Sequence, residues 1–98
     1  MKIAVSIDEE GLIASHLGKC KLFQIFFREG NLIEFLEERE TDGNHQNHII
    51  DDIMDCDYVI SAQIGEGMIE NLKSLGIKPV VENKVSAPFE AVNVLKIG

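Results

Sequence analysis

The stretch DYVISAQIGEGMIENLKSLGIKPVVE, residues 57–82, carries the pattern that decides the fold. Its two apolar runs, rich in β-branched residues, predict strands, and the amphipathic segment between them predicts a helix. In that segment, 66–76, the residues that recur at helical spacing are Met68, Ile69, Leu72 and Leu75. Gly76, after the last of them, is typical of a helix C-cap. Such a unit crosses over right-handed and joins two parallel strands of one sheet.

Three further strands precede this unit. KIAVSI (2–7) is a buried type of strand, and LFQIFF (22–27) is strongly strand-like. Gly30 and Asn31 form a hairpin turn signal, which favours strand over helix for LIEFLEER (32–39). The predicted fold class is therefore α/β, with a five-stranded mixed sheet in the order 3-2-1-4-5 and flanking helices.

Two more helices complete the predicted element order β-β-β-α-β-α-β-α. The first begins at about His45 and has one apolar face, formed by Ile49, Ile50, Ile53 and Met54. The last is FEAVNVLKI (89–97), with Ser86 as its N-cap and Pro88 in its first turn. We expect a single domain over residues 1–98, because a chain of this length has room for one core.

Charge and composition disfavour several classes of function. The formal net charge is −8, and an acidic chain repels phosphate backbones, so general nucleic-acid binding is disfavoured. The N-terminus has no apolar signal region, and no run approaches the roughly 18 apolar residues that a membrane span needs. We therefore expect a cytoplasmic protein without a membrane partner, in which Cys20 and Cys56 are free thiols.

The predicted topology brings four loops to one edge of the sheet. In open α/β sheets, ligands bind outside the carboxyl ends of the strands, where the strand order reverses. That point lies between strands 1 and 4, and the loops that meet there are 8–20, 40–47, 62–67 and 83–86.

The first of these loops contains ASHLGKCK (14–21), in which a histidine and a cysteine stand four residues apart. Imidazole and thiolate both suit zinc, iron and iron–sulfur clusters. In the alternative interpretation, His16 bonds to the loop backbone and Cys20 is a small buried hydrophobic residue. Two ligands are too few for a closed structural site, so they would suit an exchangeable site or one completed by a second subunit.

Two more histidines, His45 and His48, stand at positions i and i+3. His45 lies beside a loop that reaches the ligand edge, so it is a candidate third ligand; the alternative is an ordinary polar residue at a helix start. His48 points away from the apolar face, and we expect it to be solvated.

The segment QIGEGM (63–68) joins a strand to a helix at the same edge. Gly65 and Gly67 would let the backbone approach a ligand, and the helix N-terminus offers N–H groups to an anion. The alternative is a tight turn without a ligand, and the two interpretations are compatible. The segment matches neither the Walker loop nor the G-x-G-x-x-G pattern, so it carries no signal for nucleotide binding.

Four parts of the sequence together resemble a known family: MKIAVSID, SHLGKCKLFQIF, the hairpin and DYVISAQIGEGMIENLKSLGIKPV. The family is the dinitrogenase iron-molybdenum cofactor biosynthesis family, and the resemblance spans nearly the whole chain. The most specific parts are Ser15-His16-Leu17-Gly18 and the strand–helix segment that ends in LKSLGIKPV. The resemblance implies a ribonuclease-H-like fold and a small carrier or chaperone of iron–sulfur-type clusters, with His16 taking part in cluster binding. Cys20 departs from the family pattern and is either an added soft ligand or incidental. The cofactor-binding residues expected from the loop and the turn are Ser15, His16, Gly18, Gln63, Ile64, Gly65 and Gly67.

We therefore expect a non-enzymatic carrier that holds an iron–sulfur-type or iron–molybdenum cluster transiently, with His16 as metal ligand and Cys20 and His45 as helpers. Its partners would be proteins that donate or accept the cluster, and a site shared between two subunits would make a homodimer useful. A rival interpretation is a regulatory or interaction module that binds a small anion or a protein partner at the same edge. A metal-dependent nuclease would need convergent carboxylates, but the acidic run 8–10 has no carboxylate partner at the end of strand 4.

Overall fold

The computed structural model describes residues 1–41 and 50–96, and its centre is a five-stranded sheet. The elements are β1 (Lys2–Ile7), β2 (Leu22–Glu29), β3 (Leu32–Glu40), β4 (Tyr58–Ser61), α1 (Glu66–Ser74), β5 (Lys78–Val81) and α2 (Pro88–Val94). The strand order is β3-β2-β1-β4-β5, with β2 antiparallel to both neighbours and β4 parallel to β1 and β5. The predicted fold class and strand order are confirmed.

The two faces of the sheet carry two separate hydrophobic clusters. Because successive side chains of a strand point to opposite faces, β1 contributes to both. Ala4 belongs to the cluster that includes Leu72 of α1, whereas Ile3 and Val5 belong to the cluster that includes Val92 of α2. The helices α1 and α2 therefore cover opposite faces of the sheet.

Helix α1 ends in a hydrogen-bonded turn at Gly76, as predicted. Gly76 has a φ of 81°, its N–H donates to the carbonyl of Lys73 at 3.1 Å, and the N–H of Ile77 donates to the carbonyl of Leu72 at 2.9 Å. This is the Schellman arrangement, in which a residue beyond the helix folds back over its last turn. The prediction that Leu75 belongs to the buried stripe was wrong, since Leu75 is 46% exposed and Ile77 is buried instead.

The predicted helix that begins at about His45 falls largely outside the described residues. The chain is helical at Ile50 and Asp51 and then continues in turns. The N–H of Ile53 donates to Ile50 at 3.1 Å, and the N–H of Cys56 donates to Ile53 at 3.0 Å, both at a spacing of three residues that is tighter than an α-helix. Met54 therefore leaves the predicted apolar face and is 51% exposed.

The start of α2 differs from the prediction by one residue. Ala87 is the N-cap and Pro88 is the first helical residue, so the prediction of Ser86 as the cap was wrong. The carbonyl of Ser86 instead accepts a hydrogen bond from the N–H of Ile13 at 2.9 Å. This bond ties the start of α2 to the loop after β1, and it outweighs the capping preference of a serine side chain.

The end of α2 is set by a side chain from a distant strand. Arg28 of β2 donates from Nη1 to the carbonyls of Val92 and Leu95, each at 2.6 Å, and from Nε to the carbonyl of Gly30 at 3.1 Å. These donors satisfy carbonyl groups that a helix end leaves without partners. The helix therefore stops at Val94, earlier than the sequence pattern predicts.

Candidate functional site

The loop between β1 and β2 is hydrogen-bonded to the connection between β4 and α1, at the carboxyl ends of the parallel strands. The carbonyl of Ala14 accepts from the N–H of Ala62 at 3.1 Å and from Oγ of Ser61 at 3.2 Å. The N–H of Leu17 donates to the carbonyl of Gln63 at 3.0 Å. The two loops that were predicted to meet where the strand order reverses do so.

A pocket of about 220 Å³, which we call the His16 pocket, lies between these two loops. Its lining residues are His16, Leu17, Gly18, Gly65, Gly67, Met68 and Asn71. The fold therefore brings four of the expected site residues, two from each loop, to one cavity.

His16 is half-buried and begins a short 3-10 turn, Leu17–Lys19. Its Nδ1 accepts a hydrogen bond from the N–H of Gly18 at 3.2 Å. A neutral imidazole has one nitrogen that accepts and one that carries the proton, so Nε2 is the protonated nitrogen in this arrangement. Binding of a metal at Nε2 would require the proton to move to Nδ1, which would end the hydrogen bond from Gly18.

The N-terminal end of α1 forms the opposite wall of the His16 pocket. Its N-cap is Gly65, so no capping side chain bonds to the first N–H groups of the helix. Such groups favour a negatively charged ligand. Glu66, an exposed acidic residue in the first turn, weakens that preference without filling the pocket.

The two glycines of this wall are not required by the backbone. Gly65 has φ −66° and ψ 151°, which any residue can adopt, and neither Gly65 nor Gly67 has a positive φ. A Cβ atom built at either position would meet no atom within 4 Å. Side chains are therefore sterically allowed here, and their absence leaves open space beside His16.

Cys20 does not line the His16 pocket. Its side chain is fully buried in the cluster beneath α1, and burial raises the pKa of its thiol to about 11. Because the thiolate is the form that binds metals, the raised pKa disfavours Cys20 as a ligand in this position. The structure thus places Cys20 in the core instead of beside His16.

Three other residues expected at the site are placed outside the pocket lining. Ser15 and Gln63 are exposed, and Ile64 is buried in the core cluster. Gln63 contributes through its backbone, since its carbonyl holds the loop of His16 in place.

Sequence reasoning missed three residues that line the pocket, Leu17, Met68 and Asn71. Asn71 stands four residues after Gly67, and residues at i and i+4 share one face of a helix, so the spacing contained a usable signal. Met68 was predicted as core, and it is indeed buried, but it also reaches the pocket wall.

The predicted ligand His45 lies outside the described residues, as does most of its loop. Within residues 1–41 and 50–96, no group of three or more His, Cys, Asp or Glu side chains is arranged to hold a metal ion. In the same part of the chain, no helix has the length and apolar character needed to cross a membrane.

Solved structures with the same fold share most of their length with this chain. PH0822 is 25% identical, with a TM-score of 0.77 over 95% of this chain and 86% of that one. A candidate dinitrogenase (mj0327) from Methanocaldococcus jannaschii is 17% identical, with a TM-score of 0.69 over 96% of this chain and 86% of that one. A candidate NifB protein from Thermotoga (TM1290) is 16% identical, with a TM-score of 0.59 over 92% of this chain and 81% of that one.

The family assignment comes from the sequence. A search of the curated proteins found no match to this chain. The sequence model described as "Dinitrogenase iron-molybdenum cofactor" matches residues 1–96, which is almost the entire chain. The chain therefore belongs to the dinitrogenase iron-molybdenum cofactor family, and this membership associates it with that cofactor.

Proposed function

We propose that this protein is a carrier that binds an iron–sulfur-type or iron–molybdenum cluster, or a precursor of one, in the His16 pocket. The observation that carries the proposal is that His16 and the uncapped end of α1 line one pocket, whose glycines leave open space. An imidazole would supply a metal ligand, and the N–H groups of the helix end would favour the negative charge of a cluster. Family membership supports the same cargo.

The small number of ligands favours reversible binding. Among the described residues that line the pocket, His16 is the one that carries an imidazole, thiol or carboxylate. Metal sites that serve a permanent structural role use about four protein ligands. Ligation would also end the bond between Gly18 and Nδ1 of His16, which costs about 1 kcal/mol, or roughly fivefold in affinity. Both features suit a cargo that is taken up and released.

The helper roles of Cys20 and His45 stay predictions. For Cys20 to bind the cluster, its thiol would have to leave the core and lose its proton. For His45, a second imidazole would come from the segment that precedes Ile50. A homodimer is a third source of ligands, since a second copy would supply a second His16.

The proposed role is binding and transfer without catalysis, in the cytoplasm. Its partners would be proteins that supply the cluster and proteins that accept it. The His16 pocket supports this role because its described lining contains one titratable side chain, whereas general acid–base chemistry commonly pairs two.

Anaerobic reconstitution with iron, sulfide and molybdate tests the proposal. We expect the wild-type protein to retain metal in stoichiometric amount with visible absorption, and His16→Ala to lose most of both. His48→Ala is the matched control, because it removes an imidazole that we expect to be solvated. Cys20→Ala and His45→Ala then report on the two helper roles.

Two results would contradict the carrier proposal. Metal at background level in the wild-type protein would show that it does not bind the cluster. Equal metal retention by His16→Ala and the wild-type protein would show that the cluster does not bind at His16. The first result would favour the rival function, a module that binds a small anion or a protein at this edge. Phosphate or molybdate binding by the metal-free protein, measured by calorimetry, would then be the next experiment.

A further inference from the structure

A second cavity lies on the opposite face of the sheet from α1. It is an open groove of about 690 Å³ between the β2–β3 hairpin and the start of α2, and we call it the aromatic groove. Its lining residues are Gly11, Gln24, Phe26, Phe35, Glu38, Ala87, Pro88 and Phe89. The proposed carrier function uses none of them.

Three phenylalanines form the floor and the two sides of the aromatic groove. Phe26 is buried, and its ring packs edge-on against Phe35 at 5.6 Å and against Phe89 at 6.5 Å between ring centroids. Phe35 and Phe89 are each 54% exposed. Two large aromatic side chains held by a third, yet half open to solvent, are typical of binding surfaces.

A β-bulge is what places an acidic residue beside these rings. The register between β2 and β3 shifts at Ile25/Phe26, so that Phe26 pairs with Phe35 and Gln24 pairs with Glu38. The bulge inserts one extra residue into β3. Without it, two residues three positions apart on β3 would point to opposite faces of the sheet. The bulge therefore puts Phe35 and Glu38 in one groove.

The charge around the aromatic groove is negative. Glu38 lines it and accepts a hydrogen bond from Nε2 of Gln24 at 3.1 Å. Glu10 and Glu90 are exposed and directly adjoin the lining residues Gly11 and Phe89 in the chain. Among the described residues that line the groove, none is basic. An occupant with complementary charge would be cationic.

We propose that the aromatic groove binds a cationic amphipathic segment of a partner protein. An apolar side chain of the segment would lie between Phe35 and Phe89, and a lysine or arginine would pair with Glu38. A second copy of this chain is a poorer occupant, because a two-fold dimer would place this acidic groove against itself, with a net charge of −8 on each chain. A small apolar molecule is also poorer, since the open groove would leave much of it in water.

The position of the groove makes such binding compatible with cargo in the His16 pocket. The His16 pocket includes Met68 of the cluster beneath α1, whereas Phe26 belongs to the cluster beneath α2. A partner docked on the α2 face would leave the pocket accessible. The proposal does not depend on the cargo and can be tested with metal-free protein.

The probe is a fluorescein-labelled peptide of about 14 residues, built from leucine and lysine with the leucines at helical spacing. A peptide with glutamate in place of lysine is its control. Binding is followed by fluorescence anisotropy for the wild-type protein, Phe35→Ala/Phe89→Ala and Glu38→Gln. Leu75→Ala and Glu70→Gln are the matched controls, since both residues are exposed and lie outside the aromatic groove. Thermal unfolding monitored by circular dichroism verifies that each variant is folded. If the double variant has a much lower melting temperature than the wild-type protein, Phe89→Ala alone replaces it.

We expect the lysine peptide to bind and the glutamate peptide not to bind. The double phenylalanine variant should weaken binding by about tenfold, and Glu38→Gln should weaken it and reduce its dependence on salt. Both controls should match the wild-type protein. Absence of binding would overturn the proposal. Equal binding by all variants would also overturn it, because the peptide would then bind through the net negative charge of the protein and not through the groove. A wild-type dimer that dissociates in the double variant would also overturn it and would assign the groove to a second copy.

Discussion

The substitution Gly67→Ala should have opposite effects on the stability of the protein and on its affinity for the proposed cargo. Gly67 is the second residue of α1, has no positive φ, and has no atom within 4 Å of the position that a Cβ would take. In a helix, alanine is favoured over glycine by about 0.5–1 kcal/mol, because glycine loses more backbone entropy on folding. We take the lower value, about 0.5 kcal/mol, since the first turn is the least ordered. For a domain of this size, that gain raises the melting temperature by about 2–4 °C.

The same methyl group should weaken cargo binding. It would take up space in the wall of the His16 pocket, whose total volume is about 220 Å³. Steric crowding in the pocket costs roughly 1–3 kcal/mol, so we expect at least about a fivefold loss of affinity for reconstituted metal. The variant should therefore be more stable and bind less.

Urea unfolding and anaerobic metal titration of the same samples measure both effects. Asn93→Ala is the matched control, because Asn93 is exposed on α2 and its replacement gains helix propensity away from the pocket. A loss of stability in Gly67→Ala would refute the reasoning that the fold does not need this glycine. Unchanged metal affinity would refute the reasoning that the glycine keeps space for cargo.

Three further predictions concern stability. Arg28→Ala should lower the free energy of unfolding by about 1–3 kcal/mol, measured in urea, because it removes the donors to three carbonyl groups; a change below 0.5 kcal/mol, roughly the error of the method, would contradict the capping role. Arg39 bonds to both carboxylate oxygens of Asp55 and holds its pKa well below the usual range, so the stabilisation is complete above about pH 4 and decreases as the pH falls below it. The difference in unfolding free energy between wild type and Asp55→Asn should accordingly shrink at low pH, and a difference independent of pH would argue against this ion pair. Burial raises the pKa of Cys20 and Cys56 to about 11. The free energy of unfolding should therefore fall between about pH 9 and 11, by on the order of 1 kcal/mol for each thiol. The double variant Cys20→Ala/Cys56→Ala should lack this fall.

Much of the fold could be predicted because its signals are local. The buried-type apolar run at 2–7, the turn at Gly30 and the helical spacing of 66–76 each depend on a few neighbouring residues. The right-handed crossover and the hairpin then allow few strand orders, and the observed order is the predicted one. The same strand order predicted the edge at which His16 and Gly65 meet.

The details that escaped prediction depend on contacts between distant parts of the chain. Ser86 has the side chain of a good helix cap, yet its backbone is held by Ile13, and the next residue takes the cap position. The end of α2 depends on Arg28, which comes from a strand more than 60 residues earlier.

By itself, the sequence determined the fold class, the strand order, the family and the edge of the sheet at which the loops of His16 and Gly65 meet. Only the tertiary structure decided which side chains share that edge. It placed Cys20 in the core, although Cys20 is only the fourth residue after His16. The reason is that the chain enters the sheet directly after the 3-10 turn that lies between them. It also placed Asn71 beside His16, and it formed the aromatic groove through a bulge in β3. Spacing along a chain specifies local geometry, but the direction of a loop side chain depends on what packs against it from elsewhere.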